Sequence, residues 1–337
     1  MNTKTLWFRV DGGAAIGLGH VARALALAEE AAGRGLHPRF VLNDDGAARA
    51  FLRQRGFADV ATAPPDLDEE VRFLADGVGD GRLVTDLRGK DPAFYRRLRE
   101  AGVLTCAVDD MGEPITAHVV VNGGAAPGLA GYEELWPPQR FLVGTAYIPL
   151  PPAFAAEPPA PDDPVRNRLL VTFGGSDADD FTRPALAALA RLEPLDVDLA
   201  LGPAYPYVDE AGALAAESPH RIAVHAPAAD MLPLYRRARV ALAAGGITQY
   251  ELLSCGVPTV SVPHVAREEA ECAAFAEAGA VATFPPAELE AGGSAVEEVR
   301  RLWGDSGRRR AMAAAGRRLI DGRGAARVID AIVELAP

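Results

Sequence analysis

Cysteine is scarce in this chain: Cys106, Cys255 and Cys272 are the three in 337 residues, and none forms a C-x-x-C pair. That excludes a disulfide framework and a thiolate zinc site, and predicts three small buried hydrophobes. No apolar run reaches the roughly 20 residues that a membrane-spanning helix needs. The first residues, Met1-Asn2-Thr3-Lys4-Thr5, lead into a polar, glycine-rich segment and not into a signal-peptide core. A cytoplasmic protein without a membrane span is expected. Positive charge is also in short supply, with 34 Lys and Arg against 46 Asp and Glu and a net charge of −12. Nucleic acid is therefore not expected as the main partner, because phosphate backbones are held by basic surfaces. One small anionic ligand remains compatible, since amides at helix N-termini hold phosphate without Lys or Arg. No Asp-x-Asp metal motif stands at a suitable strand end. Asp109-Asp110 is the nearest look-alike, and neither a metal nor another cofactor is expected.

What the chain does have is an ordinary globular composition, 49% hydrophobic and 24% charged with mean hydropathy +0.04, over a length that suits two domains. Short β-rich runs alternate with longer helical ones. Strands are expected at 6–10, 39–42, 82–86, 103–108 and 118–121, with helices near 21–32, 47–55 and 92–101. A proline-dense stretch at 151–166 reads as a semi-rigid linker. The alternation then restarts with strands at 168–173, 197–201, 221–225, 240–243 and 259–262, and the part from about 287 is largely helical. The pattern predicts two doubly wound α/β domains, 1–150 and 167–337, each with a mostly parallel sheet. Ligands of such sheets bind beyond the carboxyl ends of the strands, so two facing sheets would place the ligand in a cleft. The arginines at 308–310 and 317–318 read as solvated helix faces.

Three segments at expected strand ends carry candidate chemistry. The first runs from Arg9 through Asp11, Gly12, Gly13, Gly17 and Gly19 to His20 and Arg23. Gly17 and Gly19 let the backbone approach a ligand, and His20 falls at a helix start. The positive end of the helix dipole disfavours imidazolium there, and a neutral imidazole suits a general base. A cap or an anion contact is the alternative role. A dinucleotide fingerprint is not matched, because G-x-G-x-x-G is absent. The second segment is Phe173-Gly174-Gly175-Ser176-Asp177, an amide-lined turn suited to a phosphate. The third, Ala244-Gly245-Gly246-Ile247-Thr248-Gln249-Tyr250-Glu251, enters a helix with Thr248 near its start. Its free amides favour a phosphate, while Glu251 can accept hydrogen bonds from ribose hydroxyls or serve as a first-turn acid.

In this order the R-x-D…G-x-G-H-x-x-R, F-G-G-S-D and A-G-G-x-T-x-x-E-L-x-x-x-G-V-P segments resemble the PseG/SpsG family, over about residues 6–282. The family comprises a nucleotide-sugar hydrolase of the pseudaminic-acid pathway and relatives in spore-coat polysaccharide synthesis. The resemblance implies a MurG-like GT-B fold, two Rossmann-like domains facing across a cleft, with UDP held by the second without a required metal. It further implies that His20 matches the histidine that activates water at the anomeric carbon. Glu251 matches the ribose-binding acid, and Gly246, Ile247 and Thr248 match the diphosphate turn. Asp11, Gly17, Gly19, Arg23, Gly174, Gly175, Ser176 and Gly245 complete the expected binding set.

Three departures surround one subsite. Where the hydrolase has Asp-x-Tyr-Gly, this chain has Asp86-Leu87-Arg88-Gly89. An Asn-Gln pair that contacts diphosphate and sugar corresponds to Arg267-Glu268, and an arginine there suits a phosphate clamp. Leu-Arg-x-x-Phe reads Leu150-Pro151-Pro152-Ala153-Phe154. These changes point to a different sugar or an acceptor other than water. The leading expectation is hydrolysis of a nucleotide-activated sugar, UDP-linked, releasing sugar and nucleotide. A metal-independent glycosyltransferase with the same donor site is the alternative, and a non-catalytic nucleotide-sugar-binding protein is the second. Enzymes of the same sugar pathway are the expected partners.

Overall fold

The computed structural model describes residues 5–335 apart from 14–17, 111, 113, 127–131, 133–138, 229 and 290–292. The chain divides into two compact units, Met1–Ala155 with Gly322–Pro337, and Ala156–Asp321. In the first unit β1 (Thr5–Val10), α1 (Gly19–Gly33), β2 (His37–Leu42), α2 (Gly46–Gln54), β3 (Val60–Thr62) and α3 (Leu67–Val78) follow in order. They continue into β4 (Arg82–Asp86), α4 (Pro92–Glu100), β5 (Leu104–Val108), β6 (Val119–Asn122) and β7 (Arg140–Val143). The seven strands are parallel in the order β3-β2-β1-β4-β5-β6-β7.

A parallel sheet is covered on both faces, so its strands carry apolar side chains to both sides. In β1, Leu6, Phe8 and Val10 join Val21, Ala24, Leu25 and Ala28 of α1. Trp7 points to the opposite face and packs with Leu74 of α3 and Phe94 and Leu98 of α4.

The second unit comprises β8 (Arg168–Thr172), α5 (Thr182–Leu189), β9 (Asp196–Ala200), α6 (Val208–Glu217), β10 (Arg221–His225), α7 (Leu232–Arg237) and β11 (Ala238–Ala243). Then come α8 (Ile247–Ser254), β12 (Thr259–Ser261), α9 (Ala266–Glu277), β13 (Val281–Thr283), α10 (Ser294–Gly304) and α11 (Ser306–Leu319). Its sheet is parallel in the order β10-β9-β8-β11-β12-β13. Both units are thus doubly wound α/β folds. The winding direction reverses between β1 and β4 in one and between β8 and β11 in the other. In doubly wound folds this is where the loops leaving the carboxyl ends of the strands diverge and a ligand is received.

Two features differ from the sequence reading. The helix α12 (Gly324–Val333) was expected within a continuous second domain, 167–337, but it belongs to the first unit. Its apolar stripe of Ala325, Val328, Ile329 and Ile332 completes the core beside α1. A stripe of that spacing declares a buried face without declaring what covers it. Arg309, expected on a solvated face, is 2% exposed. It donates to the carbonyls of Leu302 and Trp303 at 2.9 and 2.8 Å, at the end of α10, and to Asp162 at 2.9 Å.

The proline-rich stretch is tied down in the same way. Arg166 is 2% exposed and donates to the carbonyls of Pro159, Ala238 and Cys255 at 3.0, 2.9 and 2.6 Å. The guanidinium thereby closes the C-terminal ends of α7 and α8, where helix dipoles favour a cation. Burial lowers its pKa below the ordinary guanidinium value. Arg166→Met keeps the aliphatic stem but strands these carbonyls. It should destabilise the second unit by about 2–4 kcal/mol, measured by urea unfolding. A change under about 0.5 kcal/mol, the usual range for a surface substitution, would show that water satisfies them.

The three cysteines are buried. Among the described residues no helix is long and apolar enough to cross a membrane.

Candidate functional site

In the first unit the chain leaves β1 through Asp11-Gly12-Gly13. Asn43, just beyond β2, accepts from the Gly12 amide and donates to the Gly12 carbonyl, both at 2.9 Å. Gly13 has φ +134, and a Cβ there would stand 2.1 Å from the Asp45 carboxylate, so only glycine fits. Gly17 lies outside the described residues. Gly19 opens α1 with open space around it. His20, the next residue, is 6% exposed.

The histidine is not alone. Its Nδ1 lies 2.5 Å from Oδ1 of Asp86, the last residue of β4, which is 1% exposed. Arg23, on the same face of α1 one turn later, donates to Asp86 Oδ2 and Oδ1 at 2.9 and 2.8 Å. Its remaining terminal nitrogen donates to Asp110 at 2.9 Å. Burial alone would lower the Arg23 pKa, but Asp86 and Asp110 outweigh it and hold the guanidinium above its ordinary value. Arg23 Nη2 also lies 2.9 Å from His20 Nδ1. A guanidinium has no acceptor and a carboxylate no donor, so the short contact with Asp86 assigns the Nδ1 proton to the bond with that carboxylate. In the neutral imidazole this tautomer has its lone pair on Nε2. Because β1 and β4 are neighbours with Val10 opposite Asp86, the whole arrangement stands where the sheet's winding reverses.

Arg88 approaches Asp110 at 3.8 Å with 55% of its side chain exposed, and so joins the edge of this cluster. Asp11 belongs to a separate network. It accepts from Arg9 at 2.6 Å; Arg9 also donates to Glu70 at 2.6 Å, and Lys90 meets the other Glu70 oxygen at 2.5 Å. Sequence reasoning named Asp86 and Asp110 but placed neither in the site. Each is an acid at the carboxyl end of a central strand, and that was the signal available.

In the second unit, Gly174 has φ +85 in the turn after β8. A Cβ on Gly202 would stand 2.2 Å from the Gly175 carbonyl oxygen, so the loop after β9 presses against this turn. Asp177 is buried and caps α5, accepting from the Phe181 and Thr182 amides at 2.8 and 2.9 Å. Gly175 and Ser176 are exposed. The Gly175 carbonyl accepts from the Ala204 amide at 3.0 Å. His264, absent from the sequence reading, ties α9 to this turn. Its ring stacks on Phe181 with centroids 4.2 Å apart, its Nε2 lies 3.2 Å from the Phe173 carbonyl and its Nδ1 lies 3.1 Å from Asp179.

The neighbouring turn, after β11, is Gly245-Gly246. Gly246 at φ +65 lets the chain enter α8 without a side-chain cap. Ile247 is 41% exposed at the helix start, and Thr248 is buried behind it. Glu251, one turn in, accepts from the buried Tyr235 hydroxyl at 2.7 Å. Desolvation raises its carboxyl to about 7, against a partial lowering by the Tyr235 hydrogen bond. Glu268 rests on the Gly-Gly turn, and Arg267 lies 3.5 Å from Glu271 along its own helix. Of that pair, Glu268 is the residue packed on the turn.

No protein-family model matches the chain. It is 26% identical to the spore coat polysaccharide biosynthesis protein SpsG of Bacillus subtilis over 339 aligned positions, 96% of each chain. MurG of Acinetobacter baumannii superposes with a TM-score of 0.71 at 18% identity, covering 98% of this chain and 100% of that one. The Staphylococcus aureus MnaA–UDP complex gives 0.62 at 13% identity, covering 97% and 95%. The motif resemblance is therefore borne out as a similarity: the chain resembles SpsG over nearly its whole length, and its fold is the GT-B fold that MurG has.

Proposed function

We propose that this protein is an enzyme of polysaccharide biosynthesis that hydrolyses a nucleotide-activated sugar, with UDP as the nucleotide. His20 Nε2 takes a proton from water as the oxygen attacks the anomeric carbon. The bond from that carbon to the diphosphate oxygen breaks, and its electron pair leaves on the nucleotide. The amides opening α8 stabilise that developing charge, and the proton on His20 passes to solvent. The carrying observation is the 2.5 Å contact of His20 Nδ1 with buried Asp86, which keeps Nε2 available as a base. The relatedness to a polysaccharide-biosynthesis protein supports the substrate class. Incubation with UDP-, GDP- and CMP-sugars and no acceptor tests the reaction. Nucleotide release is expected, and release only on adding an acceptor would replace hydrolysis by transfer.

Transfer is the second reading, favoured by the exposed Arg88 at the edge of the His20 cluster, where the hydrolase has tyrosine. In it, His20 deprotonates an acceptor hydroxyl in place of water.

We place the ribose hydroxyls on Glu251. Glu251→Ala should weaken UDP binding by about 1.5–3 kcal/mol, the worth of a hydrogen bond to a charged group. Turnover at saturating donor should change little, because ribose is remote from the reacting bond. The folded carboxyl is raised to about 7, so folding holds this proton more tightly than the unfolded chain does. Its contribution to stability is greatest below pH 4.5 and falls as pH rises to about 7. Ligand binding favours the opposite form, the carboxylate. UDP affinity should therefore rise with pH up to about 7 and then level off, by at most about tenfold per pH unit. Calorimetry in EDTA from pH 5.5 to 8.5 checks this for wild type and Glu251→Gln. A slope that survives in the glutamine variant assigns the proton elsewhere, and binding that needs added magnesium rejects the metal-free site.

A further inference from the structure

A carboxylate already occupies the turn assigned above to the donor's phosphates. A Cβ built on Gly245 would stand 2.8 Å from the Glu268 Cβ and 3.0 Å from its Oε2, and one on Gly246 would stand 2.9 Å from Oε1. The His264 amide donates to Oε2 at 2.9 Å and holds the carboxylate in place. No side chain caps the eight residues of α8. Glu268 thus sets an anion at the positive end of that helix, where a phosphate would also be most favoured.

We propose that Glu268 is a resident competitor for the phosphate subsite, displaced when the donor binds and helping to expel the nucleoside diphosphate after cleavage. This rests on the reading that the α8 turn takes the phosphates. The donor's terminal phosphate is esterified to the sugar and carries one fewer charge than the same phosphate in the released nucleotide. Repulsion by a carboxylate beside the subsite is therefore stronger for product than for donor. Glu268 determines how tightly product is retained, while the sugar end of the donor is recognised elsewhere.

A purely local role is the competing account. Glu268 is the third residue of α9, and its bond to the His264 amide closes the start of that helix. Glu268→Gln separates the two, since it keeps an acceptor for the amide and removes the charge. Calorimetry with UDP and with uridine, in EDTA at pH 8, compares wild type and variant. UDP should bind the variant about fivefold more tightly or better, as expected for removing one like charge at close range. Uridine affinity and the thermal unfolding midpoint should not move. Unchanged or weaker UDP binding in the variant would overturn the proposal, as would equal changes for UDP and uridine. Uridine binding with no gain from the diphosphate in either protein would instead sink the placement of phosphates on this turn.

Discussion

His20→Asn should lower turnover by about 10²–10⁴, the usual worth of a general base, while UDP affinity stays within a few fold. Asparagine retains a polar group of similar reach but cannot accept a proton near neutral pH. The base is assigned to one unit and the nucleotide to the other, so the two effects separate. Single-turnover assays and UDP titration on the same preparation measure both. If His20 only capped α1 or held a phosphate, affinity or unfolding midpoint would fall and turnover at saturation would be kept. More than about a tenth of wild-type turnover, far above the residue left by losing a base, removes His20 from the mechanism.

Asp86→Asn should be almost as damaging, by about 10²–10⁴ in turnover, although Asp86 is placed behind the base and not against the substrate. A neutral amide can turn its NH₂ toward Nδ1, which moves the imidazole proton to Nε2 and leaves no lone pair facing the water. The same substitution takes one carboxylate away from Arg23, a largely covered guanidinium whose other carboxylate partner among the described residues is Asp110. Breaking such a pair costs about 3–5 kcal/mol, so unfolding is measured beside the rate. A folded variant with normal UDP affinity and lost turnover identifies Asp86 as the residue that sets the tautomer. Full turnover in a destabilised variant would make Asp86 a structural ion-pair partner only.

The sequence carried the central strands and their loops well because each is long and apolar on both faces. Leu6 to Val10 and Leu169 to Val171 could hardly be anything else once buried parallel strands were expected. The short edge strands β3, β7 and β13 escaped, having three or four residues such as Val60-Ala61-Thr62 and Val281-Ala282-Thr283. Helix α3 also escaped, since its opening Asp68-Glu69-Glu70 hides an apolar stripe of Val71, Leu74 and Val78. At the site, local spacing found His20 and Arg23, one turn apart on one helix. It did not pair His20 with Asp86, which is 66 residues away and becomes its neighbour only when β4 pairs with β1. Glu251 was visible as a first-turn acid, but its partner Tyr235 lies on another helix and its raised carboxyl depends on that packing. Nothing local marked His264, a single histidine whose stacking partner, Phe181, comes from the start of a helix far upstream.

The placement of α12 has a consequence for how the protein is made. Residues 156–321 form an uninterrupted unit, able to collapse as soon as they clear the ribosome. The first unit, begun earlier, lacks Val328, Ile329 and Ile332 until translation has passed all of them. Domains usually fold in the order they are synthesised, and here the unit begun later is the first to have all its residues. Until α12 is made, the part of the first core that it covers lacks its partner, although α1 already has β1 to pack against. A chain ending near residue 321 would hold a whole second unit attached to an incomplete first.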